Sequence, residues 1–272
     1  MPTASETDRI DLDLISEAAR EAGALALDFF RKAPRRWNKA DDTVVTEADI
    51  AVDRLLMEKL RTARPAYGWL SEEHPDDGSR LKAVRAFIVD PIDGTRAFVD
   101  GGDEWVVSIG IAAGEHPVAG VLCNPVRDEL WTARAGGGAW RNGERLAVSD
   151  TAGLASARIA ASRKAAAEAG LDDAAFVPDR RFLKSLAHRL ARVAAGETDA
   201  ALATSDSADW DLAAALLLVR EAGGVVTDMY GEPVRLNQLS TKHPAFVAAG
   251  PRLHAAILEA AVRSEAIVKA ED

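Results

Sequence analysis

Cysteine is almost missing from this chain of 272 residues, where Cys123 stands alone. An intramolecular disulfide is therefore excluded, and a lone thiol fits a reducing cytoplasm. Long apolar runs are missing too. No stretch reaches the roughly 18 consecutive apolar residues that span a bilayer. The opening, Met1 to Asp8, is polar and acidic rather than basic and then apolar, so no secretory leader is expected. Positive charge is in deficit: 33 Lys and Arg stand against 43 Asp and Glu, a net charge of −10. That balance argues against a nucleic-acid polymer or an anionic membrane as the main partner. A small anionic substrate would then need local cations, and bound metal is an obvious supply. Internal repeats are absent, and the one bias, toward alanine, suits close helix packing. Gly136-Gly137-Gly138 has no Gly-Lys-Ser/Thr and helix behind it, so it reads as a turn between strands and not as a phosphate loop.

What is present is an ordinary globular composition, 48% hydrophobic and 28% charged, in a chain long enough for one large domain or two closely packed smaller ones. Helical spacing of apolar residues from Leu12 to Phe30 predicts an amphipathic helix that Pro34 ends. Thr46-Glu47-Ala48-Asp49 is an N-cap with an acid at the third helical position, and its helix should run to about Arg64. Trp69-Leu70 is strand-like, and Ala86–Val89 has the length of a buried strand. Strands follow at Val106–Ala112, Val118–Leu122 and Glu129–Ala133, and Asn142-Gly143 signals a hairpin turn. The pattern relaxes at Ser149–Ala155. We place a boundary there, between an N-terminal α+β half (residues 1–150) and a C-terminal α/β half (residues 151–272). The second half alternates strands (Arg158–Ala161, Ala200–Ala203, Gly224–Val226, Ala245–Ala249) with helices (Arg181–Ala195, Trp210–Ala222, Pro251–Lys269).

The chemistry concentrates behind the Ala86–Val89 run, in Asp90-Pro91-Ile92-Asp93-Gly94-Thr95. Two carboxylates end an apolar strand, where they would repel each other without a cation; hard divalent metals suit them. The backbone N–H groups of Gly94 and Thr95 suit a phosphate. Other acids sit near element ends: Asp49, Glu72 and Asp211. Singly, Asp49 and Asp211 fit the dipole preference for acids in a helix's first turn, and Glu72 fits a solvated acidic loop. Cys123 and the five histidines lie outside these motifs. His188 and His254 read as ordinary helix residues, and His74, His116 and His243 as surface loop residues.

Taken together, Val45-Thr46-Glu47-Ala48-Asp49, Ser71-Glu72-Glu73, Asp90-Pro91-Ile92-Asp93-Gly94-Thr95, and Trp210-Asp211 with Glu221-Ala222-Gly223-Gly224 behind it resemble the inositol monophosphatase superfamily. They occur in that family's order and spacing across residues 39 to 228. The resemblance implies an α/β (α+β layered) fold, the five-layer αβαβα sandwich of the inositol monophosphatase and fructose-1,6-bisphosphatase type. It implies Mg²⁺-dependent hydrolysis of a phosphomonoester, with two or three ions per site and inhibition by Li⁺. Glu72, Asp90 and the Ile92 carbonyl would hold the first ion; Asp90, Asp93 and Asp211 would hold a second. Gly94 and Thr95 would bind phosphate oxygens. The Thr95 hydroxyl, oriented by Asp49, would help position the attacking water, and Glu72 would take part in its activation. The resemblance leaves a homodimer open.

Inositol-specific members usually follow Asp-Gly-Thr with a residue and then Asn-Phe, whereas here Arg96-Ala97-Phe98 follows. A basic residue there is similar to the 3′(2′),5′-bisphosphate nucleotidase branch or to the histidinol-phosphate phosphatases. The run Lys39-Ala40-Asp41 also resembles nucleotidase-like bacterial members. The expected reaction is thus removal of the 3′-phosphate from adenosine 3′,5′-bisphosphate, a small phosphorylated metabolite, in the cytoplasm. Arg96, Lys184 and Arg189 are candidates for the second phosphate, because Arg suits bidentate phosphate contacts. Arg96 could equally pair with Asp100 or Asp103. Arg180, Arg181, Lys184, Arg189 and Arg192 could form the solvated face of a helix. An inositol-1-phosphate or broad sugar-phosphate phosphatase stays open, as does a regulatory partner protein with incidental activity.

Overall fold

The computed structural model describes residues 3–32, 34–39, 43–171, 176–179 and 184–271. The first half runs α1 (Ala4–Lys32), β1 (Arg36–Asn38), β2 (Val44–Thr46), α2 (Glu47–Ala63), β3 (Gly68–Ser71), β4 (Arg85–Asp93), α3 (Thr95–Val99), β5 (Val106–Ala113), β6 (His116–Asn124), β7 (Glu129–Arg134), β8 (Gly138–Arg141) and β9 (Glu144–Arg145). The second runs β10 (Arg158–Ala160), α4 (Arg163–Glu168), β11 (Val177–Pro178), α5 (Leu186–Ala194), β12 (Ala200–Ala203), α6 (Asp209–Glu221), β13 (Val225–Asp228), β14 (Phe246–Ala249) and α7 (Pro251–Glu271). Strands β3 to β9 form a seven-stranded sheet in sequence order, parallel at β3–β4 and antiparallel elsewhere. A five-stranded sheet has the order β11-β10-β12-β14-β13.

The five expected layers are present. Helices α1 and α2 cover the outer face of the large sheet. Helices α5 and α6 are sandwiched between the two sheets. Helices α4 and α7 cover the outer face of the small sheet. In sequence, residues 149–155 join the last strand of the large sheet to the first of the small one, while one apolar cluster reaches from Leu70 and Ile88 to Ala201 and Phe246.

Two sequence features set how α6 lies on the large sheet. A Cβ on Gly110 of β5 would stand 2.6 Å from the Ala213 Cβ, and one on Gly120 of β6 would stand 2.8 Å from the Ala214 Cα. Glycine on the sheet and alanine on the helix therefore let the two backbones approach closely. That contact seats α6 on the sheet just behind its first turn, which carries Asp211.

The elements differ from their sequence expectations at the ends. Helix α1 starts at Ala4 instead of Leu12. Its early turns are mostly polar, so periodicity misses them, but Asp8 and Asp11 are buried against Arg85 at 2.7 and 3.1 Å. Helix α5 starts at Leu186, not Arg181, because the Ser185 side chain caps it by accepting from the His188 N–H at 3.0 Å. Arg180, Arg181, Ala40 and Asp41 lie outside the described residues. His243 is buried, not a surface loop residue, because Asp209 holds its ring.

Candidate active site

The hexapeptide closes β4, and an irregularity in the ladder makes it a site. Asp90 pairs with Ser108 and Asp93 with Val106, so three steps on β4 face two on β5. In a regular strand, residues three apart point to opposite faces; the extra residue of this bulge brings both carboxylates to one side. Pro91, which has no N–H to give the ladder, sits in the bulge, where its lack costs least. The Ile92 N–H donates to Asp90 Oδ1 at 2.9 Å and fixes that rotamer. Gly94 then turns the chain at φ 97°, a left-handed conformation natural only to glycine. A Cβ there would press within 3.0 Å of the Glu104 carbonyl oxygen and the Ser185 Cβ.

Other elements bring further acids to the same sheet end. Parallel pairing of β3 with β4 continues through the Glu72 N–H, which donates to the Val89 carbonyl at 3.2 Å and sets Glu72 beside Asp90. Asp211, in the first turn of α6, accepts the Ala208 N–H at 2.7 Å. Asp93 accepts from the Ser185 hydroxyl and the Ala187 N–H, both at 2.6 Å, so α5 anchors it. Carboxylate oxygens of Asp90, Asp93 and Asp211 all lie within 4.8 Å of one another. Glu72 stands at the cleft wall outside that triad, its Oε1 3.2 Å from Lys39 Nζ, which also reaches Glu73 at 2.6 Å.

Burial and mutual repulsion keep these acids from ionising together. Burial first, then the charges of Glu72, Asp93 and Asp211, pushes the Asp90 carboxyl well above its usual range. Asp93 is raised to about 6, by burial against the pull of its hydrogen bonds, and Asp211 to about 7, by burial and then Asp93. A converging set of oxygen donors that resist sharing negative charge fits a hard divalent cation, which would reverse those shifts.

Asp49 and Thr95 complete the wall. Asp49 Oδ2 closes a capping box on α2, accepting from the Thr46 N–H at 2.8 Å and its hydroxyl at 2.6 Å. Burial lifts its carboxyl to about 6. The Thr95 hydroxyl lies 3.3 Å from Asp49 Oδ1 and 3.1 Å from the Ile92 carbonyl oxygen, so it can donate to either. Helix α3 begins at Thr95, where opening N–H groups have no acceptor within the helix.

A cleft of about 360 Å³ joins these parts, lined by Glu72, Asp90, Ile92, Asp93, Gly94, Thr95, Asp211, Arg96 and Lys184, with Thr43 and Val44 at its edge. Lys184 is exposed there and pairs with Asp100, while Asp103 is held by Arg127 at 3.0 Å. Neither proposed acid partner is thus taken by Arg96. Arg189 sits one turn along α5 and is not among the cleft-lining residues; burial lowers its pKa against the attraction of Asp93 and Asp211. Two residues of this neighbourhood are given no role of their own by the sequence. Lys39 is visible there only as part of a resembling run. Ser185 is recognisable as the N-cap signal before the apolar spacing of α5. The glycine turn at 136–138 gives its N–H groups to Glu221, at 2.8 Å from Gly136 and from Gly138, and joins β7 to β8 as expected.

Layered α/β architecture with a buried carboxylate centre at one sheet end, facing a polar cleft, defines a class of metal-dependent phosphatases. Residues 10–266 match the inositol monophosphatase family, and the chain belongs to it. Among its relatives, the inositol-1-monophosphatase of Mesorhizobium japonicum is 37% identical, with 81% of this chain and 86% of that protein covered. The histidinol-phosphatase of Chlorobaculum parvum is 34% identical, over 81% and 86%. The crystal structure of the extragenic suppressor protein suhB from Bartonella henselae superposes with a TM-score of 0.80 at 32% identity, covering 93% of this chain and 98% of that one. The chain is thus a phosphatase of this family, acting on small phosphorylated substrates. No helix among the described residues is long and apolar enough to cross a membrane.

Proposed function

We propose that this protein hydrolyses the phosphomonoester of a small polyol, with inositol 1-phosphate as the leading candidate, in a Mg²⁺-dependent reaction that Li⁺ inhibits. The observation that carries the chemistry is the Asp90–Asp93–Asp211 triad, buried at Asp90 and Asp93 and half-buried at Asp211, mutually repelling and open to the cleft. The substrate assignment leans on the names of the relatives. Asp90, Asp93 and Asp211 would hold the ion or ions, with Glu72 and the Ile92 carbonyl completing the set. Bound there, magnesium supplies positive charge to the phosphoryl group and makes water a better nucleophile.

The chain's own groups do the positioning. Opening N–H groups of α3 take phosphate oxygens. Asp49 accepts the Thr95 hydroxyl proton, which turns the Thr95 oxygen toward water as an acceptor. Glu72, which also lines the cleft, receives the proton that water gives up. Water oxygen bonds to phosphorus, the ester P–O bond breaks with its electron pair on the leaving oxygen, solvent water in the cleft protonates that oxygen to the alcohol, and Glu72 returns its proton to solvent. Arg96 and Lys184 border the leaving-group side. The lone Cys123, buried with its thiol pushed up to about 11 by burial, suits a reducing cytoplasmic setting.

One observation favours a second reading, the 3′(2′),5′-bisphosphate nucleotidase: Arg96 and Lys184 put two cations at the cleft, enough for a second phosphate. Phosphate release with Mg²⁺ from inositol 1-phosphate, histidinol phosphate and adenosine 3′,5′-bisphosphate separates the two. A specificity constant about tenfold higher for the bisphosphate, about 1.4 kcal/mol of discrimination, that Arg96→Ala erases would install the nucleotidase. Equal or faster hydrolysis of inositol 1-phosphate supports the polyol reading. A regulatory role would show as a cellular phenotype that Asp93→Asn leaves intact.

A further inference from the structure

We propose that Arg80 is a positioning residue for the metal centre, tying the segment that carries Glu72 to the helix that carries Asp211. The inference rests on the metal-dependent reading above. Arg80 is fully buried, 8 residues beyond Glu72 in sequence, and none of its contacts is with the cleft. Its guanidinium spans two elements. Nε and Nη2 donate to Asp76 Oδ2 at 3.1 and 2.9 Å. On the other side Nη1 donates to Asn237 Oδ1 at 2.7 Å, and Nη2 donates to the Gln238 carbonyl at 2.8 Å.

From Asn237 the contacts run straight to the first turn of α6. The Asn237 N–H donates to Asp209 Oδ2 at 2.7 Å. The other Asp209 oxygen lies 2.7 Å from His243 Nε2, and the Asp209 N–H donates to the Thr241 carbonyl at 2.9 Å. Asp209 is fully buried and two residues from Asp211. The strap 236–243 is therefore clamped to α6 at Asp209 and to the Glu72 segment at Arg80. Gly68, at the start of β3, makes room: a Cβ there would lie 2.6 Å from the Arg80 Cα. A planar guanidinium can serve three acceptors in fixed directions at once, which an ammonium on a flexible stem cannot. The two walls of the centre are thus held in register by groups that never touch an ion. Outer partners of ligating groups typically contribute about 10–100-fold to metal affinity.

The test is Mg²⁺ binding to the full-length protein by calorimetry, alongside its melting temperature in EDTA. Arg80→Met keeps the chain length and removes every donor; Arg80→Lys restores the charge. Ile257→Ala, in the cluster under α7, serves as a control destabilised far from the site. Arg80→Met should weaken Mg²⁺ binding about tenfold, Arg80→Lys by less, and Ile257→Ala not at all. Should Arg80→Met fail to fold, Asn237→Gly removes the Arg80 acceptor while suiting the backbone φ of 56° at that position, and it should weaken binding in the same direction. Unchanged Mg²⁺ affinity in a folded Arg80→Met or Asn237→Gly overturns the proposal. Absence of Mg²⁺ binding in the unmodified protein would instead overturn the metal-dependent reading beneath it.

Discussion

Asp211→Asn should make the metal-free protein more stable while it removes the response to Mg²⁺. Asp211 is held at about 7 in the fold, against 3.8 for an unperturbed aspartate, through burial and the charge of Asp93. The folded chain therefore binds this proton more tightly than the unfolded chain. Its stabilising contribution is complete below pH 3.8 and is lost as pH rises through about 7. A shift of that size corresponds to a ceiling of about 4 kcal/mol at pH 8. Relaxation of the neighbouring acids leaves about 1–3 kcal/mol for the asparagine to recover. Asparagine keeps an oxygen for the Ala208 N–H and drops the charge. For a chain of this size each kcal/mol is worth about 2 °C. In EDTA at pH 8 the variant should melt about 2–6 °C above the parent, and the gap should close near pH 4. Mg²⁺ at about 100 times its dissociation constant should stabilise the parent by about 2.7 kcal/mol and the variant by less than half of that. Differential scanning calorimetry with and without Mg²⁺ measures both. A variant that melts below the parent in EDTA at pH 8, or that gains equally from Mg²⁺, would refute the account of the triad as a repelling cation site.

Two further outcomes follow from the geometry of the hexapeptide. Thr95→Val removes the hydroxyl shared by Asp49 and the Ile92 carbonyl, and kcat should fall by about 10²-fold or more with little change in melting temperature. Steady-state kinetics beside a melting curve checks this, and a comparable rise in KM with kcat unchanged would place Thr95 in binding instead. Gly94→Ala sets a Cβ 3.0 Å from the Glu104 carbonyl and the Ser185 Cβ at a φ of 97°. It should cost about 1–3 kcal/mol in urea unfolding and displace α3; a melting temperature equal to the parent's would refute the left-handed requirement.

Legibility follows the range of the interactions. The Thr46 cap, the β4 run and the Asn142-Gly143 turn are readable because each depends on neighbours within a few residues. Asn142 and Gly143 adopt φ of 49° and 83°, as a two-residue hairpin asks. The two acids of the hexapeptide are readable as a pair, but the bulge that turns them to one face is not, since it exists only against β5. Gly110 and Gly120 have a purpose only once α6 lies across them. Arg80 and Asn237 stand 157 residues apart in sequence, and no local pattern announces such a pair. His243 escapes a local reading for the same reason: its partner Asp209 lies 34 residues back.

The site's arrangement also explains where its stability must come from. Asp90, Asp93 and Asp211 oppose their own assembly, so each is held by something stronger than its neighbour's repulsion. Asp90 is held by the Ile92 N–H and the bulge, Asp93 by Ser185 and Ala187, and Asp211 by Ala208 and the glycine-seated helix. These anchors come from the large sheet, from α5 and from α6, which pack together in the cluster between the two sheets. Loosening any one should therefore show first as weaker cation binding and only later as unfolding, because the repulsion acts on the loosened carboxylate before the surrounding core gives way.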